Sequence, residues 1–108
     1  MSFSDPISRQ AVLAAILEYD RVGRGGFLRT NGYGEARIYF LIFCGKPYDS
    51  KAIIGVAHGY EYPQLGPLRA SDFSGGNATV KRKLEKLGFE VLSAKARVSG
   101  RVGPRLPE

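Results

Sequence analysis

Residues 45–53 combine residue types that bind anions with the expected start of a helix. Free backbone N–H groups at a helix start, together with the Ser50 hydroxyl, can hold a phosphate oxygen. Lys46 and Lys51 add positive charge on either side, and Tyr48 is predicted to pack with one edge and offer its hydroxyl with the other. The alternative is structural: Asp49 and Ser50 form an ordinary helix cap, and Lys51 is a solvated side chain.

A second segment, Asp72-Phe73-Ser74-Gly75-Gly76-Asn77, also precedes an expected helix. Paired glycines allow backbone N–H groups to approach an anion closely, because no Cβ intervenes. The alternative is a glycine-rich turn that lets the helix pack against Phe73. The basic residues that follow the segment are Lys81, Arg82 and Lys83.

The net charge of +6 and the isoelectric point of about 9.7 indicate an anionic partner. Residues 81–108 contain eight Lys or Arg against three Asp or Glu, whereas residues 1–80 contain eight against seven. Two helix starts beside a localised basic surface favour a polyanion over a small anion. The alternative is a solvated helix face followed by a basic, flexible linker.

Several classes of enzyme are excluded by missing residues. His58 is the one histidine, so neither a paired-histidine metal site nor a histidine–metal nuclease centre can form. The sequence has no phosphate-binding P-loop and no nucleophile elbow. Cys44 is the one cysteine, and we expect it to be a small buried hydrophobic residue; the alternative is a reactive thiol. We therefore expect a binding domain with no catalytic residues, no cofactor and no metal. With no signal peptide or membrane span visible, we expect a cytoplasmic protein.

The hydrophobic pattern predicts the elements that carry these segments. They are a helix over residues 8–22, a glycine-rich loop over 25–34, a central strand buried on both faces over 37–44, a hairpin return strand over 47–49, a helix over 51–58, a loop over 59–70, a third helix after residue 77 and a strand over 89–92. The predicted order is α-β-β-α-α-β, an α+β domain whose short antiparallel sheet is packed by helices. Residues 1–94 are predicted to form the domain, and residues 95–108 a basic tail or interdomain linker.

Taken in order, the motifs resemble the N-terminal head domain of McrA-type (ScoMcrA-like) HNH restriction endonucleases, which are bacterial, modification-dependent type IV enzymes. The resemblance rests on residues 39–53, on Asp72-Phe73-Ser74-Gly75-Gly76 and on Leu84-x-x-Leu87-Gly88-Phe89, with support from residues 18–23 and 27–34.

The resemblance implies a reader module that recognises modified double-stranded DNA, 5-methylcytosine in particular, and that directs a nuclease domain absent from this chain. It also implies a bacterial cytoplasmic protein and is compatible with a homodimer. The alternative is a protein–protein module that orients neighbouring domains. The residues expected near DNA are Arg29, Tyr33, Lys46, Tyr48, Ser50, Lys51, Ser74, Gly75, Gly76, Asn77, Lys81, Arg82 and Lys83.

Overall fold

The computed structural model describes residues 6–36, 39–70, 73 and 76–93. Within them the predicted α+β class and the α-β-β-α-α-β order are confirmed, with one additional helix after the first. The elements are α1 (Arg9–Val22), α2 (Arg24–Asn31), β1 (Tyr39–Phe43), β2 (Lys46–Asp49), α3 (Ser50–Glu61), α4 (Gly76–Lys86) and β3 (Glu90–Ser93). In this described part, no helix is both long enough and apolar enough to span a membrane.

Helix α1 forms as its sequence predicts. The Ser8 hydroxyl accepts a hydrogen bond from the Ala11 amide at 3.1 Å, which satisfies one of the free donors of the first turn. Gly23 ends the helix with φ +86°, a value that L side chains rarely adopt. Val12 and Ile16 are buried on the inner face, so α1 is a core-packing helix.

Helix α2 occupies a segment that was predicted to be a loop, and that prediction was wrong. Two glycines near its start cost about 1 kcal/mol each in helix propensity. Phe27 is fully buried and Leu28 is 4% exposed, and each side chain removed from water gains about 2 kcal/mol. Tertiary burial therefore outweighs the local preference against a helix.

The sheet is antiparallel, with strand order β2-β1-β3. Leu41 on β1 lies opposite Tyr48 on β2 and Val91 on β3, and all three side chains are buried. The predicted central strand is confirmed. Its expected burial on both faces is wrong, since Phe40 and Ile42, on the opposite face from Leu41, are half-buried.

A two-residue turn joins β1 to β2. Cys44 and Gly45 have φ +52° and +75°, and positive values at both central positions characterise the type I′ hairpin turn. Cys44 is therefore at the exposed tip of the hairpin. The prediction that it is buried was wrong, because the apolar run stops contributing to the core one residue earlier.

Helix α3 is the most buried helix of the described region. Residues 52–58 are all buried, and they include Ile53, Ile54 and the single histidine. His58 Nδ1 lies 2.9 Å from the Gly66 carbonyl oxygen, and its ring packs against Tyr62. The histidine is thus part of the core, and α3 serves as the central support for the surrounding elements.

Candidate nucleic-acid interface

Four parts of the chain meet around a surface recess of about 280 Å³. They are the loop after α2, the first residue of β1, the junction between β2 and α3, and Ala70 in the segment between α3 and α4. The recess is lined by Tyr33, Gly34, Glu35, Ala36, Tyr39, Asp49, Ser50, Lys51, Ala52 and Ala70. The fold therefore brings the helix start at residues 50–52 together with the predicted candidate Tyr33.

The Asp49 carboxylate lies in the wall of this recess and is 2% exposed. It accepts hydrogen bonds from the Tyr19 hydroxyl at 2.6 Å and the Ala36 amide at 2.8 Å. The Arg24 guanidinium adds a two-pronged contact, from Nε to one carboxylate oxygen and from Nη2 to the other, both at 2.9 Å. One carboxylate thus joins α1, α2 and the following loop to the end of β2.

These contacts govern the ionisation of Asp49. Burial by itself would raise the pKa of the carboxyl group. Hydrogen bonds from Arg24, Tyr19 and the Ala36 amide outweigh that effect and hold the pKa below its ordinary value. Asp49 is therefore a charged, fully engaged carboxylate at neutral pH.

Neither the Asp49 nor the Ser50 side chain forms the ordinary helix cap that was the structural alternative for this segment. Asp49 occupies the N-cap position of α3, but its side chain makes no capping hydrogen bond. The Ser50 hydroxyl donates to the Tyr39 carbonyl oxygen at 3.0 Å. Both side chains tie the start of α3 to its surroundings.

Lys51 lies at the rim of the recess. Its ammonium nitrogen is 5.6 Å from the centroid of the Phe73 ring, within the range of a cation–π contact. The Phe73 ring in turn lies edge-on to Tyr33, with centroids 6.1 Å apart. Lys51 therefore links the first predicted motif to the beginning of the second.

The two candidate tyrosines are turned inward. Tyr33 is 7% exposed, and its hydroxyl donates to the Leu68 carbonyl oxygen at 2.7 Å. Tyr48 is 2% exposed and donates to Asp20; burial, followed by this hydrogen bond, raises the pKa of Tyr48 to about 12. In this conformation neither ring is presented to a nucleobase.

Lys46 and Arg29 lie on other parts of the surface. Lys46, beside the hairpin turn, donates to Asp20 Oδ1 at 2.6 Å, and its side chain is 56% exposed. This hydrogen bond is the largest cause of the lowered pKa of Asp20. Because Lys46 and Asp49 are at opposite ends of β2, the lysine is separated from the recess by about 10 Å of strand. Arg29 is exposed on α2.

The remaining candidates belong to α4 and the residues before it. Val80 and Leu84 face the core, and Lys81 pairs with Glu85 one turn later at 2.9 Å. Arg82 is exposed and Lys83 is half-buried. Ser74 and Gly75 lie outside the described residues, and the structure places Gly76 and Asn77 as the first two residues of α4.

The sequence reasoning missed two charged residues here: Glu35, which lines the recess, and Arg24, which holds the Asp49 carboxylate in its wall. Arg24 begins α2, where the helix dipole disfavours a positive side chain, so its position calls for a carboxylate partner. A positive residue at a helix start could have indicated the carboxylate partner, but only if this segment had been predicted as a helix. Over the described ranges, no three potential metal-ligating side chains form a cluster.

Comparisons with known proteins agree with this fold. A family model described as "ScoMcrA-like, N-terminal head domain" matches residues 5–93. Among solved structures, the type IV phosphorothioation-dependent restriction endonuclease ScoMcrA matches with a TM-score of 0.62 and 34% sequence identity. The match covers 83% of this chain and 13% of that one, so this chain is similar to a small part of a much longer enzyme. No curated protein matches. Since the family model spans most of the sequence, the chain belongs to the ScoMcrA-like N-terminal head domain family.

Proposed function

We propose that this chain is the DNA-binding head module of a type IV restriction system. The observation that carries the proposal is the recess at the start of α3, where the predicted anion-binding segment, Lys51 and the loop after α2 come together. Membership of the head-domain family supports the same assignment.

In this proposal the module contacts the phosphate backbone of double-stranded DNA. The buried rings of Tyr33 and Tyr48 argue against direct base contact, whereas cationic side chains on the surface suit phosphates. Backbone N–H groups at the start of α3 add donors beside Lys51. The proposed phosphate-contacting side chains among the described residues are Arg29, Lys46, Lys51, Lys81, Arg82 and Lys83. Ser50, whose hydroxyl already donates to the Tyr39 carbonyl oxygen, would contribute through the backbone of the helix start.

The modification that is recognised is the finer part of the proposal. The resemblance implies 5-methylcytosine, whereas the matching enzyme is described as phosphorothioation-dependent. A 5-methyl group lies on a base edge in the major groove, and reading it requires an apolar contact. A phosphorothioate lies on the backbone itself. Backbone contact is also compatible with a third possibility, in which this module only anchors the DNA and another domain recognises the modification.

Nuclease activity is assigned in this proposal to another domain of a longer protein. A single, buried His58 supports that division, because an HNH centre needs more than one histidine. The module would then deliver DNA to the nuclease, and two modules in a homodimer would engage one site together. Sedimentation of the free and DNA-bound chain would measure this stoichiometry.

The test is a competition assay with a labelled duplex at about 0.15 M salt, a concentration that weakens purely electrostatic binding. Competitors are unmodified, 5-methylcytosine and phosphorothioate duplexes of one sequence, with double-stranded RNA as a further competitor. We expect affinity for DNA that falls steeply with salt. Preference for one modified duplex by about tenfold would identify the mark, and equal competition would indicate a backbone anchor.

Lys51→Ala should weaken binding to all three DNA duplexes and reduce the salt slope by about one. Lys86→Ala is the matched control, because it removes the same charge at the far end of α4, about 15 Å along the helix from its start. Absence of DNA binding by the unaltered chain would refute the proposal and leave the protein–protein module as the better assignment. Equal losses in the two variants would place the contact elsewhere.

A further inference from the structure

We propose that Arg24 supplies an additional phosphate contact at this interface, and that Glu35 occupies the contact until DNA displaces it. This inference rests on the proposed DNA-binding function and identifies one of its recognition residues. It concerns the side of the recess formed by Asp49, Glu35 and Ala36, which adjoins Ser50 and Lys51.

The Asp49 carboxylate fixes the orientation of the Arg24 side chain. Nε and Nη2 each bond to Asp49 at 2.9 Å, so one edge of the planar guanidinium is fully used. Asp49 is itself held by Tyr19 and the Ala36 amide, and it is 2% exposed. An arginine anchored in this way loses little conformational freedom when its second edge binds a ligand.

The second edge of Arg24 is accessible. The side chain is 42% exposed, and Nη1 lies 3.6 Å from Glu35 Oε2. A strong charge-assisted hydrogen bond between a guanidinium and a carboxylate is about 2.7–2.9 Å long. The Arg24–Glu35 pair is thus a loose surface contact, and the Glu35 side chain is 73% exposed.

These observations make Glu35 a replaceable partner. A phosphate oxygen can approach the same guanidinium edge at hydrogen-bonding distance and, like the carboxylate, carries negative charge. Glu35 would compete for Arg24 and would also repel DNA arriving at the recess. The carboxylate therefore lowers DNA affinity, and its removal should expose the arginine.

The experiment compares Glu35→Gln with Glu90→Gln on an unmodified labelled duplex. Both variants remove one exposed negative charge, but Glu90 begins β3 and lies opposite Ile42, near the hairpin end of β1, whereas Tyr39 at the other end of β1 lines the recess. We expect Glu35→Gln to tighten DNA binding by about three- to fivefold, and Glu90→Gln to have less than about half that effect. Equal gains in the two variants would overturn the inference while leaving DNA binding intact. An unaltered chain that fails to bind DNA would overturn both proposals.

A second comparison isolates Arg24. Lysine keeps the positive charge but cannot hold Asp49 with one edge and a phosphate with the other. In an Arg24→Lys background, Glu35→Gln should lose most of its gain. If the gain is unchanged there, Glu35 acts by general repulsion and the inference is wrong. Thermal unfolding checks that Arg24→Lys is folded; if it is not, the Glu35 and Glu90 variants decide the matter alone.

Discussion

Asp49 connects parts of the sequence that are far apart. Its partners Tyr19 and Arg24 precede it by 30 and 25 residues, and Ala36 by 13. From the sequence, an aspartate before a helix is most simply interpreted as a cap. Its actual role depends on α2 and on the loop beyond it, and local spacing carries no information about either. The sequence thus located the residue correctly at a helix start but could not reveal its partners.

Asp49→Asn should lower the free energy of unfolding by about 3 kcal/mol. The substitution replaces one oxygen of a 2% exposed carboxylate with an NH2 group, which cannot accept from the two donors that face it. Leaving buried hydrogen-bonding groups unsatisfied costs about 1–3 kcal/mol, and more where a charged group is involved. Urea denaturation would measure the change. Glu90→Gln, an exposed substitution, serves as the control and should stay within about 0.5 kcal/mol of the unaltered chain. A loss below about 1 kcal/mol would show that the contacts of Asp49 contribute little.

The lowered pKa of Asp49 also predicts a pH dependence. A carboxyl group whose pKa is lower in the folded state contributes stability at pH values above its unfolded pKa, about 3.9. That contribution is lost as the pH falls through the lower, folded-state pKa. The midpoint temperature of thermal unfolding, measured from pH 6 to pH 2, should therefore fall once the pH is below about 4. The fall should be smaller in the Asp49→Asn variant. Parallel curves for the two proteins would contradict the prediction.

The β1–β2 hairpin shows both the reach and the limit of prediction from sequence. A continuous run of β-branched and aromatic residues before a Gly-Lys-Pro step predicted the two strands correctly. The buried assignment of Cys44 failed because composition alone does not show on which residue the turn begins. The prediction of a loop over residues 25–34 was wrong for a related reason. The glycines of this segment disfavour a helix, and the burial of Phe27 that stabilises α2 is a tertiary effect.

Cys44→Asn should raise the free energy of unfolding by about 0.5 kcal/mol. Asn-Gly is strongly preferred in two-residue turns with two positive φ values, and asparagine adopts that conformation more readily than most residues. Cys44→Val, which places a β-branched side chain at the same φ of +52°, should lower stability instead. Urea midpoints of both variants would measure the difference. The same sign for both would exclude backbone conformation as the cause.

At the scale of the whole molecule, the recess exists because α3 packs closely against the residues around it. Tyr33, from the loop after α2, and the Leu68 carbonyl, from the segment before α4, both pack closely against Gly55 of this helix. The sequence predicted helix α3 and indicated that its start could bind an anion. It could not predict that Tyr33 would be buried there, because that depends on contacts 22 and 35 residues distant.

Gly55→Ala should reduce the free energy of unfolding by about 2 kcal/mol, the cost of overpacking a core. A Cβ at this position would lie 1.9 Å from the Tyr33 hydroxyl oxygen and 3.2 Å from the Leu68 carbonyl oxygen. In a Tyr33→Phe background the same change should cost less, since the closest atom is gone. Gly25→Ala is the control, because a Cβ there meets nothing within 4 Å. Additive effects of the Gly55 and Tyr33 substitutions, measured by urea denaturation, would refute the predicted clash.

The exposed turn between β1 and β2 gives the chain a natural position for a spectroscopic label. Cys44 is its one cysteine and is accessible at the hairpin tip, so a maleimide dye or a nitroxide can be attached without first removing other thiols. The label would be at the opposite end of β2 from the recess, a span of about 10–15 Å. Energy transfer to dyes placed along a duplex would then give the orientation of the bound module, and a dipolar measurement between two labelled copies would report whether they sit on one duplex together.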